Sequence, residues 1–295
     1  MPADFNPSFQ TPGWAWWIVL YFFLGGITGG IAFAAGWLDL FGDRSDRPAV
    51  RLGHLLAFPL ILISAAFLIV DLGQPLRFWH MVFESERFPL PILKPYSPMS
   101  LGSLILSVFG AVTFLQFVDA LLGRGRWFGS GPLGKVLSVL GALSGLALAG
   151  YTGALLNVTN VPVWANSPYI SALFLFSGLS TGIAVLLLLA RRAPHATLEK
   201  LSEADNYLMI FELITLLVFL VPLGALGTRF VWSQPAAILF GIVILLGLLL
   251  PLALHWQPRL AGGTRVASLV ASVLVLFGGF VLRWAVLAVP QGIGL

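Results

Sequence analysis

The sequence predicts an all-α integral membrane protein of about eight transmembrane helices. Three observations lead there. The 295 residues are 58% hydrophobic and 9% charged, with a mean hydropathy of +0.95. A soluble domain carries roughly 25% charged residues, so this chain lacks the polar groups to cover a water-facing surface. Eight apolar runs approach or exceed the roughly 20 residues that cross a bilayer as a helix. Most connections between them are short and rich in Pro, Gly and charge.

The runs are Trp14–Phe41, Leu52–Val70, Met99–Leu122, Leu133–Leu156, Ser167–Ala190, Tyr207–Leu226, Pro235–Leu254 and Val266–Val289. Helices are expected because backbone facing lipid must satisfy its own hydrogen bonds. A barrel would need alternating strands of about ten residues, and these runs are unbroken. The longest connection, Asp71–Pro98, holds five prolines and reads as ordered turns over one membrane face. Nine tryptophans, Trp14, Trp16, Trp17, Trp79, Trp127, Trp164, Trp232, Trp256 and Trp284, fall near span ends, as in an aromatic belt. The first run is long and lacks a basic segment before it, so it reads as a span and not as a cleaved signal peptide.

Lys and Arg set the orientation. Connections one, three, five and seven contain or border Arg44, Arg47, Arg51, Arg124, Arg126, Lys135, Arg191, Arg192, Lys200, Arg259 and Arg265. The opposite side has Arg77, Arg87, Lys94 and Arg229. Positively charged loops stay in the cytoplasm, which puts both termini outside it. The high pI near 9.8 reflects a net charge of only +4, which does not suggest a nucleic-acid partner. There is no cysteine, so thiolate metal sites and iron–sulfur clusters held by this chain are excluded. A bis-histidine haem needs two facing histidines in the membrane, and only His54 is expected to be embedded. No nucleotide-binding loop, zinc motif or catalytic triad is present.

A weak internal repeat pairs Gly26-Ile-Thr-Gly-Gly-Ile-Ala32 in the first span with Gly178-Leu-Ser-Thr-Gly-Ile-Ala184 in the fifth. Both spans run in the same direction, which suggests two four-helix halves, residues 1–156 and 157–295. Small-residue strings also arise in membrane helices simply because they let helices approach.

Ionisable groups at membrane depth are functional candidates. Tyr21, Asp71, Tyr151 and Arg283 are expected near the outer side; Asp39, His54, Asp119 and Glu212 toward the inner side. Tyr151 lies in Gly150-Tyr-Thr-Gly153, where glycines leave room beside the ring, and a phenol donates a hydrogen bond without placing charge in lipid. The alternative is a belt tyrosine. Asp71 opens Asp71-Leu-Gly-Gln-Pro-Leu-Arg-Phe-Trp-His80 and is placed to exchange protons with water; the alternative is a turn-forming Asp paired with Arg77. Glu212 lies in an apolar helix where burial favours its protonated form, or it hydrogen-bonds a neighbouring helix. Arg283 is expected to neutralise a buried acid or face a headgroup.

Five stretches in register resemble the NrfD/PsrC family. They are Trp17-Ile-Val-Leu-Tyr-Phe-Phe-Leu-Gly-Gly-Ile-Thr-Gly-Gly30, Asp71-Leu-Gly-Gln-Pro-Leu-Arg-Phe-Trp79, Gly150-Tyr-Thr-Gly153 followed by Pro162-Val-Trp164, Ser177-Gly-Leu-Ser-Thr-Gly-Ile-Ala184, and Gly278-Gly-Phe-Val-Leu-Arg283. The similarity runs over essentially the whole sequence. It implies a haem-free, quinone- or quinol-reacting subunit (menaquinone or ubiquinone) of two four-helix bundles in the inner (cytoplasmic) membrane. It implies an iron–sulfur partner subunit, itself bound to a molybdopterin or multihaem catalytic subunit. The family's quinone pocket uses a tyrosine of the fourth span, which maps onto Tyr151; Tyr21, Asp71, Trp164 and Arg283 complete the expected surroundings, with Glu212 as proton carrier. Where polysulfide reductase adds a histidine and an asparagine in the first span, this protein has Tyr21 and Ile18. Two other readings of the same residues are a secondary transporter, since repeats, glycine-broken helices and embedded charge also fit one, and a membrane anchor with an inactive quinone site.

Overall fold

A computed structural model of the protein describes residues 14, 16–82, 97–123, 131–190, 193–224, 229 and 236–291. Every regular element among them is helical, and eight helices are long and apolar enough to cross a membrane. They are α1 (Trp16–Phe41), α2 (Arg47–Asp71), α3 (Pro98–Val118), α4 (Pro132–Asn157), α6 (Ile170–Leu189), α7 (His195–Leu220), α8 (Ala236–Trp256) and α9 (Thr264–Leu287); the short α5 (Pro162–Ala165) lies between α4 and α6. The protein is therefore an all-α, multi-pass membrane protein. Its two described ends meet on one face, where the Trp14 N–H donates to the Gln291 side chain at 3.1 Å. The other face carries Arg44, Arg47 and Arg51; these two are called the terminal face and the arginine-rich face below.

Proline punctuates these helices as its missing N–H requires. Pro98, Pro132 and Pro162 stand in first turns, where that N–H would have no partner anyway. In α8, Pro251 cannot donate to Gly247, and the segment Val243–Leu249 widens into a π-helix. A second π turn, Asp119–Gly123, ends α3.

The sixth span differs from its expected bounds. The helix begins at His195 and not at Tyr207, because His195–Asn206 is rich in helix formers and packs inward through Thr197, Leu201 and Asp205. Its first turns are fastened to the α1–α2 connection. Thr197 donates to Asp46 at 2.6 Å, and Lys200 bridges Asp43 and Asp46 at 2.8 and 2.9 Å. This shift moves Glu212 up its helix, beside Ser177 and Arg283, and away from the inner position expected for it.

Helix α1 is the pivot. It packs against α2, α4 and α6, while α6 also packs against α4, α7 and α9. Glycine decides how closely. The two repeated strings lie against one another, residue against counterpart: Gly26 meets Gly178 and Gly30 meets Gly182, each pair 152 positions apart (178 − 26 and 182 − 30). A Cβ on Gly182 would overlap the Gly30 backbone. Around this seam the contacts recur in matched form. Gly29 meets Gly145 between α1 and α4, as Thr181 meets Gly279 between α6 and α9. Four residues further on, Ala149 reaches Gly178 and Arg283 reaches Gly26.

Candidate functional site

Tyr21 and Tyr151 come together near the terminal face. Tyr21 is one and a half turns into α1 and 2% exposed; Tyr151 is on α4 and 8% exposed. The two phenols are within electrostatic range of each other. Two small groups position them. The Ser64 hydroxyl of α2 donates to the Tyr21 carbonyl at 3.1 Å. Gly102 of α3 leaves the volume that the Tyr151 ring occupies, since a Cβ there would overlap the ring. The Tyr151 hydroxyl donates to the Pro98 carbonyl at 2.7 Å. A phenol oxygen also accepts, so this bond leaves it able to receive a second one. Asp71, at the terminal-face end of α2, is partly exposed.

Arg283 anchors a second cluster. Its side chain is fully buried. Nε donates to the Phe22 carbonyl at 3.1 Å, and Nη1 donates to the Ser177 hydroxyl at 3.1 Å and to the Gly279 carbonyl at 2.8 Å. The guanidinium carbon lies 5.6 Å from the ring centres of both Phe23 and Phe174. Glu212, which is 3% exposed, lies beside Ser177 and within electrostatic reach of the guanidinium. Nη2 is buried without a hydrogen-bond partner and points at Gly26. Gly26 is glycine because a Cβ there would touch that nitrogen.

Two turns before Glu212 on α7 lies Asp205, which the expected span bounds leave in a connection. It is fully buried; Ser180 donates to its Oδ1 at 2.6 Å, and its Oδ2 has no partner. The seven-residue spacing from Glu212 puts both acids on one helix face, and that spacing is the signal the sequence holds. One residue on, Asn206 pairs with Nδ1 of His255 at 2.7 Å, while the buried Nε2 of His255 has no partner. Asn206 and His255 line a cavity of about 730 Å³ at the arginine-rich face, with Glu199, Glu203 and Arg265 also in its lining.

The structure thus gathers Tyr21 with Tyr151, and Glu212 with Arg283. The pairs are linked by consecutive residues of α1, since Arg283 holds the Phe22 carbonyl next to Tyr21. Trp164 sits elsewhere than a belt position. It is fully buried, donates from Nε1 to the Val286 carbonyl at 2.7 Å and stacks on Trp14 at 5.5 Å. Trp127 and Trp232 lie outside the described residues. No group of three or more metal-ligating side chains forms among the described residues.

Known proteins align with the sequence end to end. It is 27% identical to Protein NrfD of Escherichia coli over 96% of each protein, and 28% identical to its homolog in Haemophilus influenzae over 99% of each. It is 25% identical to the C subunit of polysulfide reductase of Wolinella succinogenes over 96% of each. A model of the family described as "Polysulphide reductase, NrfD" matches residues 6–293, and with that match the protein belongs to the NrfD family.

Proposed function

We propose that this protein is the quinone-reacting membrane subunit of an oxidoreductase complex in the inner membrane, with its termini outside the cytoplasm. The observation that carries the reading is the meeting of two buried phenols, Tyr21 and Tyr151, at one face of the membrane region. Neutral donors suit a quinone oxygen because they need no buried charge. Tyr151 holds one ring oxygen after its hydroxyl turns from Pro98. Asp71, at the water-exposed end of α2, exchanges the proton with solvent. Arg283 fixes the α1 backbone beside Tyr21 and so positions that ring.

The protein supplies no thiolate for an iron–sulfur cluster, so electrons come from or go to a partner iron–sulfur subunit, itself carried by a molybdopterin or multihaem subunit. The relative named as a polysulfide reductase subunit supports an assembly of this kind. The partner docks over the Asp71–Pro98 and Asn157–Asn166 connections. Leu76, Phe78 and Trp79 of the first are 90%, 50% and 37% exposed, a surface suited to a protein partner. Residues 83–96 of that connection lie outside those described. Asn157 braces the second by donating to the carbonyls of Trp164 and Ser167.

Glu212 carries protons in this reading. Support comes from the polar order along the second half: Asn206 with His255, Ser180 with Asp205, Ser177 with Glu212, then Arg283. That order runs from the cavity at the arginine-rich face toward the phenols.

The test is Tyr151→Phe in the intact complex. Quinone turnover should fall, on the order of 100-fold if the hydroxyl positions the proton transfer, while dye-linked turnover of the catalytic subunit stays unchanged. Gly102→Ala, which displaces the same ring, should give the same split. Unchanged quinone turnover in both variants would remove Tyr151 from the site.

A further inference from the structure

A cavity at the arginine-rich ends of α1 to α4 takes no part in the quinone chemistry. It measures about 390 Å³ and lies on the side of the membrane opposite the phenols. We propose that it binds the phosphate of a phospholipid headgroup, with the acyl chains lying along the adjoining α3 and α4.

Charge placement is the first argument. Arg44, Arg47 and Arg51 line the cavity at spacings of three and four residues, which puts them on one side of the chain as it enters α2. Arg44 and Arg47 are exposed and have no carboxylate partner among the described residues. The Nε of Arg51 is held by the Ala120 carbonyl at 2.9 Å, in the π turn that ends α3. That contact fixes the guanidinium at the cavity wall and does not engage its two Nη groups. A planar fork of donors matches phosphate better than an ammonium does. The first turn of the long helix α2 adds the positive end of the helix dipole.

Two carboxylates, Asp39 and Asp119, also line the cavity. Asp39 is engaged by the Ser138 hydroxyl at 2.6 Å, and Asp119 also has a partner. With three arginines against two acids (3 − 2), the lining is net positive by one. His54, deeper on α2, has a buried Nε2 without a hydrogen-bond partner. A buried polar nitrogen in that state is costly, and a headgroup oxygen or hydroxyl reaching the cavity floor satisfies it.

The surroundings decide for a lipid over free phosphate. Leu121 and Leu122, which follow the lining residue Ala120, and Leu133 and Val136, which flank the lining residues Gly134 and Leu137 in sequence, are 53%, 65%, 53% and 52% exposed. They offer an apolar track that a free ion does not use and two acyl chains do. A basic pocket between spans on the cytoplasmic side is where anionic headgroups collect.

Native mass spectrometry of the purified complex tests this. The unaltered complex should retain phosphatidylglycerol through detergent exchange, and re-added dioleoyl phosphatidylglycerol should restore it after stripping. Arg44→Gln with Arg47→Gln should lower occupancy at least tenfold. Arg259→Gln with Arg265→Gln removes the same charge from the same face of the other half and should leave occupancy unchanged. Equal retention in the first pair, or equal loss in both pairs, would overturn the site. Retention of inorganic phosphate with no phospholipid would overturn the lipid assignment. A photoactivatable phosphatidylglycerol on the unaltered complex should label residues 44–58 and 115–123; labelling elsewhere alone would also overturn it.

Discussion

Arg283 shows how the protein tolerates a charge at membrane depth. On insertion scales an arginine at a helix centre costs roughly 2.5–3.5 kcal/mol. Here three hydrogen bonds to Phe22, Ser177 and Gly279 surround it, and hydrogen bonds to a charged group contribute about 1.5–3 kcal/mol each. These bonds work against both the insertion cost and the cost of the unpartnered Nη2, and Glu212 adds an opposite charge within electrostatic reach. Glu212→Gln keeps a polar side chain of the same size beside Ser177 and Arg283 but cannot release a proton. If Glu212 relays protons, proton release coupled to quinone turnover should fall on the order of 100-fold while the complex assembles normally. Unchanged proton release, measured with a pH-sensitive dye in proteoliposomes, would make Glu212 a structural hydrogen-bonding residue. Asp205→Asn should act in the same direction.

Between helices, contact is set by what glycine leaves out. Membrane helices pack without a hydrophobic drive, so close backbone approach supplies the attraction. At the α1–α6 seam Gly30 and Gly182 admit no side chain. Gly182→Leu should therefore destabilise the protein by more than the 1–3 kcal/mol typical of over-packing, read as a lower melting temperature in detergent and lower yield. Gly110, with nothing near its Cβ position, is the control: Gly110→Ala should leave both unchanged. The matched contacts also locate where the two sets of helices that meet at this seam differ. Ala149 and Arg283 occupy equivalent places, four residues beyond Gly145 and Gly279. Ser64 faces Gly25 where Glu212 faces Ser177. The charged cluster belongs to the second set of helices alone. The phenol of Tyr151 belongs to the first, since two positions past Arg283 stands Ala285.

For the whole molecule, we propose residues 1–156 and 157–295 as its two units, joined at that seam and divided in labour between quinone and proton. We infer their common orientation from the distribution of Lys and Arg. A periplasm-active reporter such as alkaline phosphatase, fused after Leu295, should be active. A cytoplasm-active reporter at the same place should be silent. The opposite pattern would invert the membrane sides assigned to the phenols and to the lipid site together.

Composition and unbroken apolar runs are enough to determine eight membrane helices, because lipid allows a lone segment little other choice. The glycine strings of α1 and α6 are legible for the same local reason: small residues announce close approach. Gly150-Tyr-Thr-Gly153 misleads in part, since Gly153 meets Ile170 and Ser171, Gly150 has nothing near its Cβ position, and the room for the Tyr151 ring comes from Gly102 on α3. Partnership is not legible. Glu212 is visible as an embedded acid, yet its depth depends on where α7 begins, and that is decided by Thr197 and Lys200 binding Asp46, more than 150 positions away in sequence. Asp205 escapes notice because its stretch is charged, and only packing against Ser180 shows it buried. Trp164 resembles a belt residue by position and becomes core through the Val286 carbonyl. Residue type and spacing determine which segments enter the membrane; which buried groups face each other depends on helix start, rotation and crossing, and these are properties of the assembled fold.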